Sequence, residues 1–437
     1  MNTRSRRSSR AIFWTALLAI PLAAFELFSF ALTRLQPDLF DRREAFLSRL
    51  RPEDFESFKR QAASNTLGWD NFADQTRRLK NCIGVEISYS YDQDRLRVHS
   101  AAPARDAVVL VAGDSYTHGD EVADSESFPA SLERILQVPV ANFGVGGYGP
   151  DQALLKLEGL IDRFPRTRVV VLAIVYENVS RMVNSYRPVY FQDTGIQFGL
   201  KPYVLDGEFH GLIGNDPFRD FQSMLAAANV GFDTDFWRRA RARFPYSAAA
   251  FQSLTLPSFW LPVLDNLGRL VGWSEHAAIY RLPSVHKNLR AVYERFAELA
   301  QSRNLHAVIA FVPASDRDQT SGLDAIAAAT DAQRAHITFI NVGRDFEWPQ
   351  FFQGCHPSPG GYRMIAANVA RAVAPLLATT AARPSQGQRN GLGGHPHSQS
   401  GRSDRAAARR PSGVPTRYLL LRVCNRARCS LRINGGR

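Results

Sequence analysis

The chain has 437 residues, of which 45% are hydrophobic and 22% charged, and its formal net charge is +12. Its length allows one large domain or two to three small ones, and its composition is that of a globular protein. The charge does not predict nucleic-acid binding, because residues 383–437 hold 12 arginines and one aspartate. Residues 1–382 are therefore nearly neutral, and no nucleic-acid partner is predicted.

The amino terminus predicts a membrane anchor. Four arginines stand before a long apolar run: Arg4, Arg6, Arg7 and Arg10. The run, residues 11–33, contains no Lys or Arg and can span a bilayer as a helix. We predict a cytoplasmic basic segment (1–10), a transmembrane signal anchor (11–33) in the inner membrane, and a catalytic domain on the periplasmic side. A signal peptide cleaved near residues 22–24 is the alternative, and it would also export the rest of the chain.

Residues 34–99 are predicted to form a stalk and amino-terminal extension. One or two short polar helices are expected in residues 36–75 and a β-hairpin in residues 84–100. An alternation of buried strands and amphipathic helices follows from residue 100 to residue 378. The predicted strands are 107–112, 138–143, 169–175, 307–312 and 337–342, and the predicted helices are 129–136, 151–164, 285–303, 322–333 and 361–377.

Residues 185–285 interrupt this alternation. They contain many Phe, Trp and Pro residues with few clear periods, and we predict an insertion packed beside the sheet. Alternating strands and helices on either side of it predict an α/β fold, in which a parallel central sheet lies between two layers of helices.

The last segment, residues 379–437, is rich in Arg, Gly and Ser and is predicted to be disordered. Two interpretations are open. The segment binds polyanions, or it is not under selection, for example because it is translated from a shifted reading frame. Two cysteines precede it, Cys82 and Cys355, and an exported domain could pair them, although the sequence does not decide this. No Cys or His cluster has the spacing of a zinc site, so no metal is predicted. The glycine loop at residues 144–149 lacks the dinucleotide-binding pattern and no Walker motif is present, so no cofactor is predicted.

A serine and a histidine carry the chemistry. Ser115 directly follows the first predicted strand of the α/β region, and His356 opens the loop before the last predicted helix. A histidine within hydrogen-bond reach can take the proton of a serine and make it a nucleophile. A glycine-rich loop follows the second strand and Asn178 follows the third. Backbone N–H groups and side-chain amides can stabilise an oxyanion, and sites form at the carboxyl ends of parallel strands.

Four short blocks resemble those of the SGNH (GDSL-type) hydrolases and occur in the same order. They lie at residues 113–119, 142–147, 176–179 and 353–357. The resemblance covers residues 100–378 and implies a three-layer, flavodoxin-like SGNH hydrolase fold. It also implies Ser115 as nucleophile, His356 as base, and Gly147 and Asn178 as oxyanion donors.

The last block departs from the family pattern Asp-x-x-His, because Gln353 stands at the aspartate position. A glutamine carbonyl can accept the Nδ1 proton of the histidine but supplies no charge. Asp345 or Glu347 could replace the missing acid. A Ser-His dyad, a substitute acid and a degenerate site that only binds are all open. His118 is a rival base, and we expect it to shape the loop instead.

The resemblance implies an exported serine hydrolase that acts on acyl or acetyl esters through an acyl-serine intermediate. Acylated cell-surface polysaccharide is the expected substrate class, by analogy with the family. Two alternatives stay open: an O-acyltransferase for polysaccharide, and a catalytically degenerate binding or assembly protein.

Overall fold

The computed structural model describes residues 3–191, 196–273, 277–315, 318–343, 346–354 and 356–381. A long helix, Thr3–Leu35, opens the chain. It contains one stretch that is long and apolar enough to cross a membrane, Phe13–Leu35. Residues 382–437, which include most of the predicted disordered tail, lie outside the described residues.

A sheet of five parallel strands forms the centre of the fold. The strands are β1 (Val109–Ala112), β2 (Val140–Asn142), β3 (Val169–Val175), β4 (His306–Val312) and β5 (Ile337–Asn341). Their order in the sheet is β2-β1-β3-β4-β5, the flavodoxin-like order of a doubly wound sheet. The predicted α/β class and parallel central sheet are therefore confirmed.

Both faces of the sheet are covered by helices, as its strand sequences require. Every residue of β3 is apolar and buried, which is typical of a parallel strand with helices on both sides. Side chains of one face, such as Leu172, share a core with helices Pro150–Leu160 and Pro283–Gln301. Side chains of the other face, such as Val171, share a core with helices Phe128–Leu136 and Pro359–Ala381. The result is a three-layer α/β/α arrangement.

The amino-terminal extension differs from the predicted stalk. Helices Arg43–Leu47 and Pro52–Gln61 are present, but Phe55 and Trp69 are buried in the main hydrophobic core. The hairpin also lies earlier than predicted. It pairs Gln75–Lys80 with Glu86–Tyr91, and its turn lies at residues 81–85. Residues 34–99 therefore pack on the α/β domain.

One predicted helix is two helices. Residues 322–333 were predicted as continuous, but the structure has Gln319–Ala327 and Asp331–His336. Thr330 separates them because its side chain accepts a hydrogen bond from the Gln333 N–H, and the Gln333 side chain accepts one in return from the Thr330 N–H. This reciprocal cap begins a new helix.

The longer helices described in the insertion are Phe221–Thr234, Tyr246–Ser253 and Pro257–Arg269. It packs beside the sheet, as Trp237 and Tyr280 show by their places in the main core. The remaining described strands are Phe40–Asp41, Ala63–Ser64, Gly68–Trp69, Tyr203–Leu205, Glu208–His210, Ala240–Arg241, Phe352–Gln353 and His356–Pro357. The remaining short helices are Pro37–Leu39, Ala104–Asp106, Ser115–His118, Asp124–Glu126, Ile161–Arg163, Asn178–Met182, Arg187–Tyr190, Ile279–Arg281 and Trp348–Phe351.

Candidate active site

Ser115 lies at the carboxyl end of β1, beside β3, where the strand order of the sheet reverses. This crevice is the usual ligand site of a doubly wound sheet. Ser115 is the first residue of the short helix Ser115–His118, and the Asp114 carboxylate caps that helix by accepting the Tyr116 N–H at 3.0 Å. As the first helical residue, Ser115 has an N–H without an intrahelical acceptor, and within the described chain it donates no hydrogen bond. It can therefore serve an oxyanion.

An ion pair connects the serine turn to the end of β3. Arg181 donates from Nη1 to Asp114 Oδ2 at 3.1 Å and to the backbone oxygen of Tyr148 at 3.3 Å. Burial raises the pKa of Asp114, while Arg181, the Tyr116 N–H and the nearby Asn178 side chain oppose the rise. Arg181 thus holds the carboxylate and the carbonyl in place.

Asn178 is buried at the start of helix Asn178–Met182. Its Oδ1 has no hydrogen-bond partner among the described residues, and its amide nitrogen carries two N–H groups. An N–H of this amide is the group that the oxyanion role requires.

The glycine loop after β2 packs directly on the serine turn. A Cβ on Gly144 would lie 2.1 Å from the His118 backbone nitrogen, so only glycine permits this approach. The Asn142 side chain joins the two segments, since its Nδ2 donates to His118 O and its Oδ1 accepts the Gly144 N–H. Gly147 has a φ of +82°, which favours glycine, and its N–H donates no hydrogen bond within the described residues.

His356 comes from the other side of the crevice. It lies on a two-residue strand, His356–Pro357, that pairs with Phe352–Gln353 and contacts the helix Ser115–His118. Its ring stacks edge-on against Tyr116, with the ring centroids 5.8 Å apart. Its Nδ1 is buried and has no hydrogen-bond partner among the described residues. No hydrogen bond joins the Ser115 hydroxyl to His356 in the described structure.

Neither Gln353 nor Glu347 forms the expected contact with His356. Gln353 turns its amide away and donates from Nε2 to the Glu121 backbone oxygen at 3.4 Å. Glu347 is exposed and, in the part of the chain that is described, forms no ion pair with His356. Asp345 and Cys355 lie outside the described residues, so the substitute role of Asp345 and the Cys82–Cys355 pairing stay predictions.

The carboxylate that does face His356 belongs to Asp120, five residues after the serine. Its Oδ2 lies 3.8 Å from His356 Nε2, and its Oδ1 lies 2.5 Å from His118 Nδ1. Burial raises the pKa of Asp120, but the neighbouring His118, His356 and Arg97 outweigh burial and hold that pKa below its usual value. Asp120 is therefore an anion between two imidazole rings.

His118 is not placed to act as a base. Its Nδ1 donates to Asp120, and its Nε2 lies 2.9 Å from the hydroxyl of Tyr91. Burial lowers the pKa of His118, so the neutral ring, accepting the Tyr91 proton and donating to Asp120, satisfies both nitrogens. It shapes the serine turn.

One feature of the sequence could have indicated the role of Asp120, namely its position directly after Gly119. Gly119 adopts a φ of +88°, and a Cβ there would lie 2.5 Å from Ser127 Cβ. This turn redirects the chain after the helix Ser115–His118, so that Asp120 faces His118 and His356. Because the direction of a side chain after such a turn depends on tertiary packing, the spacing alone could not show it.

No protein-family model and no curated protein matches the chain. Solved structures that are similar to it include a G-D-S-L family lipolytic protein from Desulfitobacterium hafniense DCB-2, with 11% identity, a TM-score of 0.27, and coverage of 60% of this chain and 97% of that one. An acetyl xylan esterase from Butyrivibrio proteoclasticus has 9% identity, a TM-score of 0.33, and coverage of 64% and 67%. A family two carbohydrate esterase from Clostridium thermocellum, in complex with cellohexaose, has 11% identity, a TM-score of 0.31, and the same coverage.

Proposed function

We propose that this protein is an SGNH-type serine hydrolase that transfers an acyl group through Ser115. One observation carries the proposal. At the strand-order reversal of the sheet, Ser115 begins a helix that the strand of His356 contacts, and the N–H groups of Ser115 and Gly147 donate no hydrogen bond within the described residues. A nucleophile, a base and oxyanion donors are the parts that ester cleavage needs.

In the proposed reaction, the Ser115 oxygen attacks the ester carbonyl carbon while His356 takes the hydroxyl proton. The oxyanion is held by the N–H groups of Ser115 and Gly147 and by a side-chain N–H of Asn178. Collapse of the intermediate breaks the ester C–O bond, and the imidazolium gives its proton to the leaving alcohol. Water, or a sugar hydroxyl in a transferase, then attacks the acyl-serine with His356 again as base.

Asp120 takes the place of the missing aspartate in this proposal. Its carboxylate faces His356 Nε2 at 3.8 Å, which leaves the unpartnered Nδ1 as the nitrogen that accepts the serine proton. An anion near the imidazole stabilises the imidazolium that forms during attack. Asp120 would therefore supply the charge that Gln353 lacks.

We further propose that residues 11–33 anchor the protein in the inner membrane, with the catalytic domain on the periplasmic side. The length and apolar character of the helix support this. An acylated cell-surface carbohydrate is the proposed substrate, since an exported site faces such polymers.

One observation favours a second function, that of an acyl-group binder without turnover. The described structure contains no hydrogen bond between Ser115 and His356. The test is reaction of the full-length protein in detergent with a fluorophosphonate probe, followed by mapping of the adduct. Labelling of Ser115 that is lost in Ser115→Ala and strongly reduced in His356→Ala supports the hydrolase. A folded protein that is not labelled, under conditions that label a known esterase, supports the binder.

A further inference from the structure

The insertion carries an exposed apolar surface in residues 244–271, which we name the apolar segment. It includes helices Tyr246–Ser253 and Pro257–Arg269. Its exposed large apolar residues are Phe244, Phe251, Leu254, Trp260, Leu264, Leu267, Leu270 and Val271, with exposed fractions from 41% to 83%. Beyond the amino-terminal helix, the rest of the described chain exposes only six such residues. A concentration of this kind marks a surface that meets another apolar phase.

The apolar segment packs against the amino-terminal helix. The rings of Phe251 and Phe25 lie 5.4 Å apart, and those of Tyr246 and Phe30 lie 5.1 Å apart. Glu26, the single acid of residues 11–33, accepts the N–H groups of Tyr246 and of Ser247, the latter at 2.9 Å. The carboxylate therefore caps the helix Tyr246–Ser253, and this contact offsets the cost of placing an acid in an apolar helix.

The position of these contacts along the anchor gives their depth. Glu26 precedes Arg34, the first basic residue after the apolar run, by eight residues, which is about 12 Å along a helix. Half of a hydrocarbon core is about 15 Å thick. If the apolar run spans the bilayer, the part of the apolar segment that contacts Phe25 and Glu26 lies within the outer leaflet. A surface made for contact with water would be unfavourable at that depth.

The aromatic residues of the segment fit the same position. Trp260 and Tyr246 are of the type that sits at the headgroup level. The segment carries few charges, since residues 244–271 contain one arginine, Arg269, and one acid, Asp265. An exposed helical surface that is apolar and aromatic is therefore free to contact the membrane interface.

We propose that the apolar segment is a second membrane contact, embedded in the outer leaflet of the bilayer that the anchor spans. The proposal rests on the proposed anchoring of residues 11–33. Trp237, which precedes the segment, connects it to the candidate active site. Its Nε1 donates at 2.8 Å to the backbone oxygen of Ser180, a residue of the helix that begins with Asn178. The bilayer contact would therefore hold the crevice at a fixed height above the membrane.

The test is photocrosslinking of the full-length protein in vesicles of phosphatidylcholine and phosphatidylglycerol. A benzophenone amino acid replaces Leu267 or Leu270 in the apolar segment, and adducts with an alkyne-tagged lipid are quantified. Ile135, 49% exposed on the α/β domain, is the matched control because it is also a large exposed apolar residue. Leu18, exposed on the amino-terminal helix, reports whether the anchor itself lies in lipid.

We expect the lipid adducts at Leu267 and Leu270 to approach those at Leu18 and to exceed those at Ile135 several-fold. Adducts at Leu18 together with background yields at both segment positions would overturn the second contact while the anchor stands. Background yields at all positions, including Leu18, would show that the anchoring proposal fails. Adducts with protein in place of lipid at Leu267 and Leu270 would show that the surface binds a protein partner and would also overturn the proposal.

Discussion

Replacement of Asp120 by asparagine tests the proposed mechanism most directly. The change keeps the shape of the side chain and a hydrogen-bonding oxygen for His118, but it removes the charge 3.8 Å from His356. Two unit charges at that distance attract by about 4 kcal/mol at an effective dielectric constant of about 20. In the proposed mechanism the imidazolium forms during attack, so this attraction lowers the barrier and is lost in the variant.

The size of the loss follows from the barrier. About 4 kcal/mol corresponds to roughly a thousandfold in rate, and this is an upper limit because both side chains are partly exposed. Replacing the aspartate of a trypsin-type triad by its amide costs about 10⁴-fold. We expect Asp120→Asn to lower kcat/KM for an activated acetyl ester by about 10² to 10³-fold.

The assay is steady-state hydrolysis by the full-length protein in detergent, with the melting temperature of each variant measured in parallel. Glu347→Gln is the matched control, since it removes the same charge from an exposed position near His356 in sequence and should leave kcat/KM unchanged. Asp120→Asn with normal turnover and an unchanged melting temperature would refute the role of Asp120. An equal loss in Glu347→Gln would locate the acid partner there.

Three further outcomes are expected. Gln353→Ala should leave turnover of the same ester unchanged, because the Gln353 amide donates to the Glu121 backbone oxygen. A large loss of turnover would show that Gln353 orients His356. Burial lowers the pKa of His118, so below about pH 6.5 the unfolded state binds more protons than the folded state. The free energy of unfolding should therefore decrease on acidification from neutral pH. In denaturant titrations, His118→Gln should weaken this pH dependence. Arg187 is buried, with a pKa lowered by burial to about 10 and with Nε and Nη1 unpartnered among the described residues. Arg187→Met should therefore not lower the melting temperature, and a clear decrease would show that a group not seen here compensates its charge.

Much of the fold was predictable because its signals are local. The uniformly apolar β3 and the strands before and after it carry the pattern of buried parallel strands, and the intervening helices carry apolar stripes with a helical period. Strands and helices that alternate with these periods bury their apolar faces when helices cover a parallel sheet. The break between helices Gln319–Ala327 and Asp331–His336 was missed, although Thr330 and Gln333 have the spacing of a reciprocal cap.

The insertion was less predictable because some of its apolar residues are buried in the core and others are exposed. Helix Pro257–Arg269 has a proline inside it, Pro262, and it exposes apolar residues that a water-soluble helix would bury. Its pattern is therefore neither that of a core helix nor that of a surface helix. Only the contacts of the insertion with Phe25 and Glu26 indicate which environment these residues meet.

The candidate site divides in the same way. The sequence by itself determined that Ser115, Gly147 and Asn178 follow three parallel strands, because the carboxyl ends of such strands meet at one edge of a sheet. It did not determine which carboxylate faces His356. That choice depends on the turn at Gly119 and on the packing of Tyr91 and His118, contacts between segments distant in the chain, and tertiary structure alone placed Asp120, and not Gln353, beside the imidazole.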